Sequence, residues 1–281
     1  GAYTMWGIFP VYWKLIHAVP ALEIIGHRVA WSFVFVIAVV VLKKDWQGFS
    51  AIAENKKRFL PYVVTSVLLG INWLTYVWAV NAGYIIETSL GYFINPLVSV
   101  LLGVIFLREK LRLWQWISVG LAFGGVLYLT VGYGRLPWIG LTLAGSFGLY
   151  GLIKKTGSLE SLHGFTLETA LMFIPAVVYL FYLEVVGRAA FGHLSTPVTL
   201  LLALAGVATG VPLLWFGIAA RRINLSTLGF LQYIAPTLQF LVGVLIYNED
   251  FSQDRVIGFS VIWVALLIFS FEGMIVRRKK K

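Results

Sequence analysis

The chain has 281 residues, 59% of them hydrophobic and 12% charged, with a mean hydropathy of +0.87. No water-soluble core can absorb that much apolar side chain, so the composition excludes a soluble domain and points to an all-α polytopic membrane protein. The absence of cysteine excludes disulfides, thiolate metal sites and cysteine nucleophiles, and the formal charge of +10 calls for either an anionic partner or a topological explanation.

Apolar runs separated by polar breaks predict ten spans, at 1–17, 21–42, 60–80, 86–107, 113–132, 136–153, 165–184, 198–219, 226–247 and 255–275. A span needs about 20 residues. The first is shorter and is expected to begin upstream of residue 1, and no cleavable signal peptide is read. Most of the 22 basic residues then fall on one side. They are Lys43, Lys44, Lys56, Lys57 and Arg58 after span 2, Arg108, Lys110 and Arg112 after span 4, Lys154 and Lys155 after span 6, Arg221 and Arg222 after span 8, and Arg277–Lys281 at the end. The opposite loops carry Arg135, Arg188 and Arg255. The positive-inside rule places both termini in the cytoplasm, with 276–281 as a basic cytoplasmic tail. The charge thus reads as a rim against anionic lipid, with no nucleic-acid partner.

Polar residues inside spans are functional candidates. Lys14, Glu23, His27 and Arg28 sit at the outer ends of spans 1 and 2. Glu23 and His27 are four apart and share a face. Lys14 or Arg28 closing on Glu23 gives an outer gate that substrate or a proton could break; a static salt bridge between the two helices is the alternative. Span 3 carries Asn72, Trp73 and Tyr76, and span 4 carries Tyr92, Asn95, Pro96 and Ser99. Tyr150 lies in span 6, with Lys154 and Lys155 at its end and Glu168 one turn into span 7, where TLE (166–168) echoes ALE (21–23). This is a candidate inner gate, although cytoplasmic lysines are also ordinary topology signals. Span 8 offers Trp215, and span 9 offers Gln232, Tyr233, Pro236 and Gln239. These polar and aromatic faces are expected to converge on a cavity for a small organic solute, zwitterionic or amphipathic. A single Trp or Tyr is more often interface belt or packing.

An offset of 140 residues lays LGYFINPLVSVLLGVIFLRE (90–109) on FLQYIAPTLQFLVGVLIYNE (230–249), matching Ile94 with Ile234, Pro96 with Pro236 and Glu109 with Glu249. Gly70, Leu74 and Ala79 match Gly210, Leu214 and Ala219 under the same offset. The shift advances by five helices, an odd number, so the second copy is inverted. The expected organisation is one five-helix repeat at 1–132 and a second, inverted one at 136–275. Such repeats typify secondary transporters, whose sites lie near the bilayer midplane where helices are broken. Asn95 lies roughly 14 Å into its span at 1.5 Å per residue, so Pro96 and Pro236 read as paired central kinks. Glu109 and Glu249, at helix ends, read as structural.

The segments MWGIFPVYWKLI (5–16), VPALEIIGHRVAWS (19–32), GINWLTYVWAVNAG (70–83), SLGYFINPLVSVLLGVIFLREKLRLWQW (89–116), STLGFLQYIAPTL (226–238) and FSVIWVALLIF (259–269) resemble the RarD branch of the EamA family, within the drug/metabolite transporter superfamily. The resemblance implies ten helices in two inverted five-helix repeats. It also implies a bacterial cytoplasmic (inner) membrane, and export or exchange of small metabolites or drugs without a cofactor. A membrane enzyme acting on a lipid-linked substrate is the second reading, disfavoured because HExxH, Asp-rich and GxSxG patterns are missing. A facilitative channel is the third, disfavoured by the paired gates. Coupling to a proton or counter-substrate through Glu23 or His27 is expected for the first.

Overall fold

The computed structural model describes residues 1–49, 58–82, 84–134, 136–247 and 253–279. Lys56, Lys57, Arg135, Glu249, Lys280 and Lys281, singled out above, lie outside the described residues. The principal elements are helices: α1 (Ala2–Leu15), α2 (Ala21–Lys43), α3 (Leu60–Asn81), α4 (Ile85–Leu107), α5 (Leu113–Tyr133) and α6 (Trp138–Thr156). They continue with α7 (Ser161–Val185), α8 (Thr196–Arg222), α9 (Leu225–Gln232), α10 (Ile234–Tyr247) and α11 (Gln253–Lys279). In lipid every backbone N–H and C=O must find a partner within the segment, which is why long apolar runs fold as helices. Among the described residues, 8 helices are long and apolar enough to cross a membrane, counting α9 and α10 together. The other two predicted spans are α1, with 14 residues, and α6, which ends in Lys154 and Lys155. Large apolar side chains lie on the outer faces, among them Leu42, Val131 and Leu245, as a lipid-facing surface requires.

Ends follow local chemistry. Lys44 (φ 54°), Arg108 (φ 53°) and Gly134 (φ 78°) close α2, α4 and α5 in left-handed caps. Glu109 caps α9 from a distance: its carboxylate accepts from Leu225 N (2.6 Å), Ser226 N (2.9 Å) and Ser226 Oγ (2.6 Å). An anion there satisfies free N–H groups and the positive helix end, so the structural reading of Glu109 has a geometry. Arg112, just before α5, donates through Nε and through Nη2 (2.7 Å) to Glu272 of α11; this hydrogen bond raises the guanidinium above its ordinary pKa.

Two expectations change. The ninth span is split at Tyr233, three residues ahead of Pro236. Proline has no N–H to give the carbonyl four residues back, at Gln232, and its ring crowds that carbonyl. Its counterpart Pro96 leaves α4 continuous over Ile85–Leu107. The expected tail from 276 is helical as far as Lys279.

Number the membrane segments one to ten, with α9 and α10 as the ninth and α11 as the tenth. The main packing pairs are then four with six, five with ten, two with seven, two with eight, four with nine, three with six and one with nine. Advancing every number by five carries this set essentially onto itself, three with six becoming eight with one and two with eight becoming seven with three. The two sequence halves interleave, each packing chiefly on the other. Close crossings depend on glycine: a Cβ on Gly91 would lie 3.2 Å from Gly140 Cα, where α4 meets α6, and one on Gly206 would collide with the Trp31 backbone, where α2 meets α8.

Candidate functional site

Segments of both halves surround a cavity of about 320 Å³. α1 lines it with Tyr3, Trp6, Pro10 and Trp13, α2 with Arg28, α3 with Asn72, Trp73 and Tyr76, and α4 with Tyr92 and Asn95. The second half contributes Phe147 of α6, Thr209 and Leu213 of α8, Gln232 of α9, and Pro236 and Gln239 of α10. Of the expected cavity residues, Asn72, Trp73, Tyr76, Tyr92, Asn95, Gln232 and Gln239 therefore meet in one place.

Their polar atoms are used unequally. Asn72 Nδ2 donates to Leu143 O (2.9 Å) and Ser146 Oγ (3.0 Å), tying α3 to α6. Gln239 Nε2 donates to Trp6 O (3.0 Å). Gln232 Nε2 donates to Ser99 Oγ (3.1 Å). The carbonyl oxygens Asn95 Oδ1 and Gln232 Oε1 are buried with no hydrogen-bond partner. Tyr76 and Tyr92 meet edge-on with ring centroids 6.1 Å apart.

Four expected lining residues stand elsewhere. Ser99 lies one turn beyond Asn95, engaged with Gln232. Tyr150 is fully buried one turn past Phe147, its ring 5.8 Å from that of Phe216. Tyr233 fills the break in the ninth span and donates to Phe93 O (3.2 Å). Trp215 is 46% exposed and packs near Gly1, because two residues at about 100° each turn it away from the Leu213 face. Pro96 is also outside the lining, although Asn95 is in it.

The gate candidates separate as well. Arg28 is not paired with Glu23: its Nε donates to Thr209 Oγ1 (3.0 Å), and its guanidinium carbon lies 5.0 Å from the Trp13 ring and 4.8 Å from the Trp73 ring. One residue past His27 is a turn of about 100° around the helix, which moves Arg28 off the Glu23–His27 face and into the cavity. Lys14 Nζ lies 3.4 Å from the centre of the Tyr247 ring. Glu23 is fully buried, and its Oε1 accepts from Ala190 N (2.7 Å) and Phe191 N (3.3 Å). His27 Nε2 is 3.7 Å from that oxygen, and its ring stacks on Phe191 at 4.8 Å. The expected outer pairing is therefore replaced by partners from the α7–α8 connection and from α10.

The inner cluster is closed. Glu168, fully buried, accepts from Lys154 Nζ (3.1 Å to Oε1), Thr65 Oγ1 (2.7 Å) and Tyr150 OH (3.2 Å). One carboxylate thus joins α3, α6 and α7. Beside it Lys155 donates to the terminal carbonyls of α8, at 3.2 Å to Ala220 O and 2.5 Å to Ile223 O.

Sequence reasoning missed the α1 wall, Phe147 and Thr209. The signal for the first is the three- and four-residue spacing of Tyr3, Trp6, Pro10 and Trp13, which stacks them on one helix face. Thr209 carries no such signal.

Known proteins agree with this architecture. Residues 1–131 match the EamA-like transporter family. The chain is 47% identical to "Uncharacterized transporter YojE" of Bacillus subtilis, over 100% of this chain and 94% of that protein. It is 44% identical to "Protein RarD" of Escherichia coli, over 99% and 94%. A crystal structure at 18% identity shares the fold, with a TM-score of 0.72 over 95% of this chain and 94% of the other. The chain is a multi-pass membrane transporter and belongs to the EamA-like transporter family, in its RarD branch.

Proposed function

We propose that the protein is a secondary transporter that exports or exchanges small organic solutes across the bacterial cytoplasmic membrane by alternating access. Its halves, 1–132 and 136–275, act as inverted repeats with both termini in the cytoplasm. The observation that carries this reading is the cavity between the halves, together with the unequal states of the two lysine–acid sites, one in each half. Lys154 and Glu168 are joined at 3.1 Å, while Lys14 and Glu23 have separate partners. In this reading the cytoplasmic side is closed, and the cavity communicates with the outside. Proton or counter-substrate coupling acts through Glu23 and His27, the buried pair in the first turns of α2.

The cysteine-free sequence makes the test direct. A single Trp6→Cys reporter in the cavity is expected to react with an impermeant maleimide from the outer face. In the Glu168→Gln background it is expected to become reactive from the cytoplasmic face. Equal reactivity from both faces at once indicates a channel, and no change of side in the variant removes the inner gate.

A further inference from the structure

Arg28 is the one charged side chain among the described residues that line the cavity. An arginine inside a membrane protein is costly unless it is paired or faces a water-filled space. A carboxylate lies five residues away at Glu23, yet Glu23 Oε1 is turned to the Ala190 and Phe191 amides. Among the described residues, the guanidinium's hydrogen bond is the one from Nε to Thr209 Oγ1. The Trp13 and Trp73 rings lie 5.0 and 4.8 Å from its carbon, and the Nε bond leaves the two Nη groups for a further partner. A planar, oriented guanidinium fork matches a carboxylate in two parallel hydrogen bonds.

The same cavity has the opposite chemistry elsewhere. Asn95 Oδ1 and Gln232 Oε1 are acceptors without a donor, and Gln232 is only 5% exposed. The neighbouring Tyr3 hydroxyl lies within reach of the Gln232 side chain and donates to Leu228 O at 3.3 Å, which leaves Gln232 Oε1 without that donor. A buried acceptor left unmatched costs free energy that a ligand N–H or O–H recovers. Aromatic walls from Trp6, Trp73 and Phe147 take an apolar body between these polar ends. A volume of about 320 Å³ is at the small end of ligand sites.

We propose that the cavity binds small organic carboxylates, with Arg28 holding the carboxylate and the side-chain carbonyls of Asn95 and Gln232 accepting from an ammonium, hydroxyl or amide donor on the same molecule. This rests on the transporter reading and names its substrate class.

The test uses purified full-length protein and a panel of L-amino acids and 2-hydroxy acids, each beside its methyl ester, read by thermal unfolding and by counterflow in proteoliposomes. At least one acid is expected to raise the melting temperature more than its ester does. Arg28→Gln is expected to weaken that acid about 10- to 100-fold and the ester little. Gln232→Leu is expected to weaken acids and esters that keep the donor alike. Should Arg28→Gln fail to fold, Arg28→Lys carries the test: the charge persists without the fork, so acid binding weakens while the preference over the ester remains. Equal shifts by acid and ester, no shift by any acid, an acid preference untouched in Arg28→Gln, or acid binding as tight in Arg28→Lys as in the unaltered protein overturns the proposal. Counterflow of esters without acids leaves the transporter reading standing and removes the carboxylate.

Discussion

At one end of the bundle Lys154 and Glu168 meet at 3.1 Å, with Thr65 and Tyr150 completing the carboxylate's partners. At the other end a lysine and an acid of the same kind, Lys14 and Glu23, have gone separate ways, to the Tyr247 ring and to the Ala190–Phe191 amides. The residue types are alike at both ends, a lysine closing one helix and an acid near the start of the next, although Glu23 sits in the first turn of α2 and Glu168 two turns into α7. What differs is the competition. Glu23 is met by the α7–α8 connection, which offers two backbone N–H groups. The α2–α3 connection meets α7 through a different pair, with Asp45 Oδ2 3.3 Å from His163 Nε2, and leaves Glu168 to its lysine. An ion pair in a repeat protein is therefore set by the loop that reaches it as much as by the residues that form it.

The largest effect should come from breaking the closed end. Lys154→Met leaves Glu168 buried without its cation, a loss of about 3–5 kcal/mol, read by unfolding in detergent. Pairing it with Glu168→Leu removes the orphan charge and should restore much of the loss. A cost for Lys154→Met no larger than that of Lys14→Met would make the two ends equivalent and break the comparison.

A smaller effect should follow from freeing the Ala190 and Phe191 amides. Glu23→Leu leaves the Ala190 N–H without its 2.7 Å acceptor, at about 1–3 kcal/mol, and the longer 3.3 Å bond from Phe191 N adds little. Glu23→Gln keeps a carbonyl oxygen for them and should recover most of that stability. Equal losses in the two variants would mean that the negative charge, and not the acceptor, holds the connection in place.

The contrast also shows what sequence can and cannot reveal. Span positions were legible because lipid forces apolar residues into continuous helices. The repeat was legible because Ile94, Pro96 and Gly103 recur at one offset. The polar stripe Asn72–Tyr76 and the Tyr92–Asn95 turn were legible as cavity faces from helical spacing alone. Arg28 was not: periodicity places it near Glu23 in the chain, but a rotation of about 100° past His27 decides which space it enters. Pairwise partners were legible at 154 and 168 and illegible at 14 and 23, because the Ala190–Phe191 segment that intervenes there shares no motif with the helices it touches.

The smallest effect on stability separates a gate from an ornament. Lys14 is exposed and rests on the Tyr247 ring, so Lys14→Met should cost less than about 1 kcal/mol. Its effect on conformation should be out of proportion to that. If Lys14 and Glu23 close when Lys154 and Glu168 open, the lysine stabilises only the state in which the cavity faces the cytoplasm. Removing it then leaves the melting temperature nearly unchanged but shifts the Trp6→Cys reporter further toward outer-face labelling, and Lys14→Arg restores the balance. A ligand or residue moves a two-state equilibrium only by its differential interaction with the two states. An unshifted reporter in Lys14→Met therefore means that Lys14 interacts equally with both states, and that the asymmetry between the two ends is permanent.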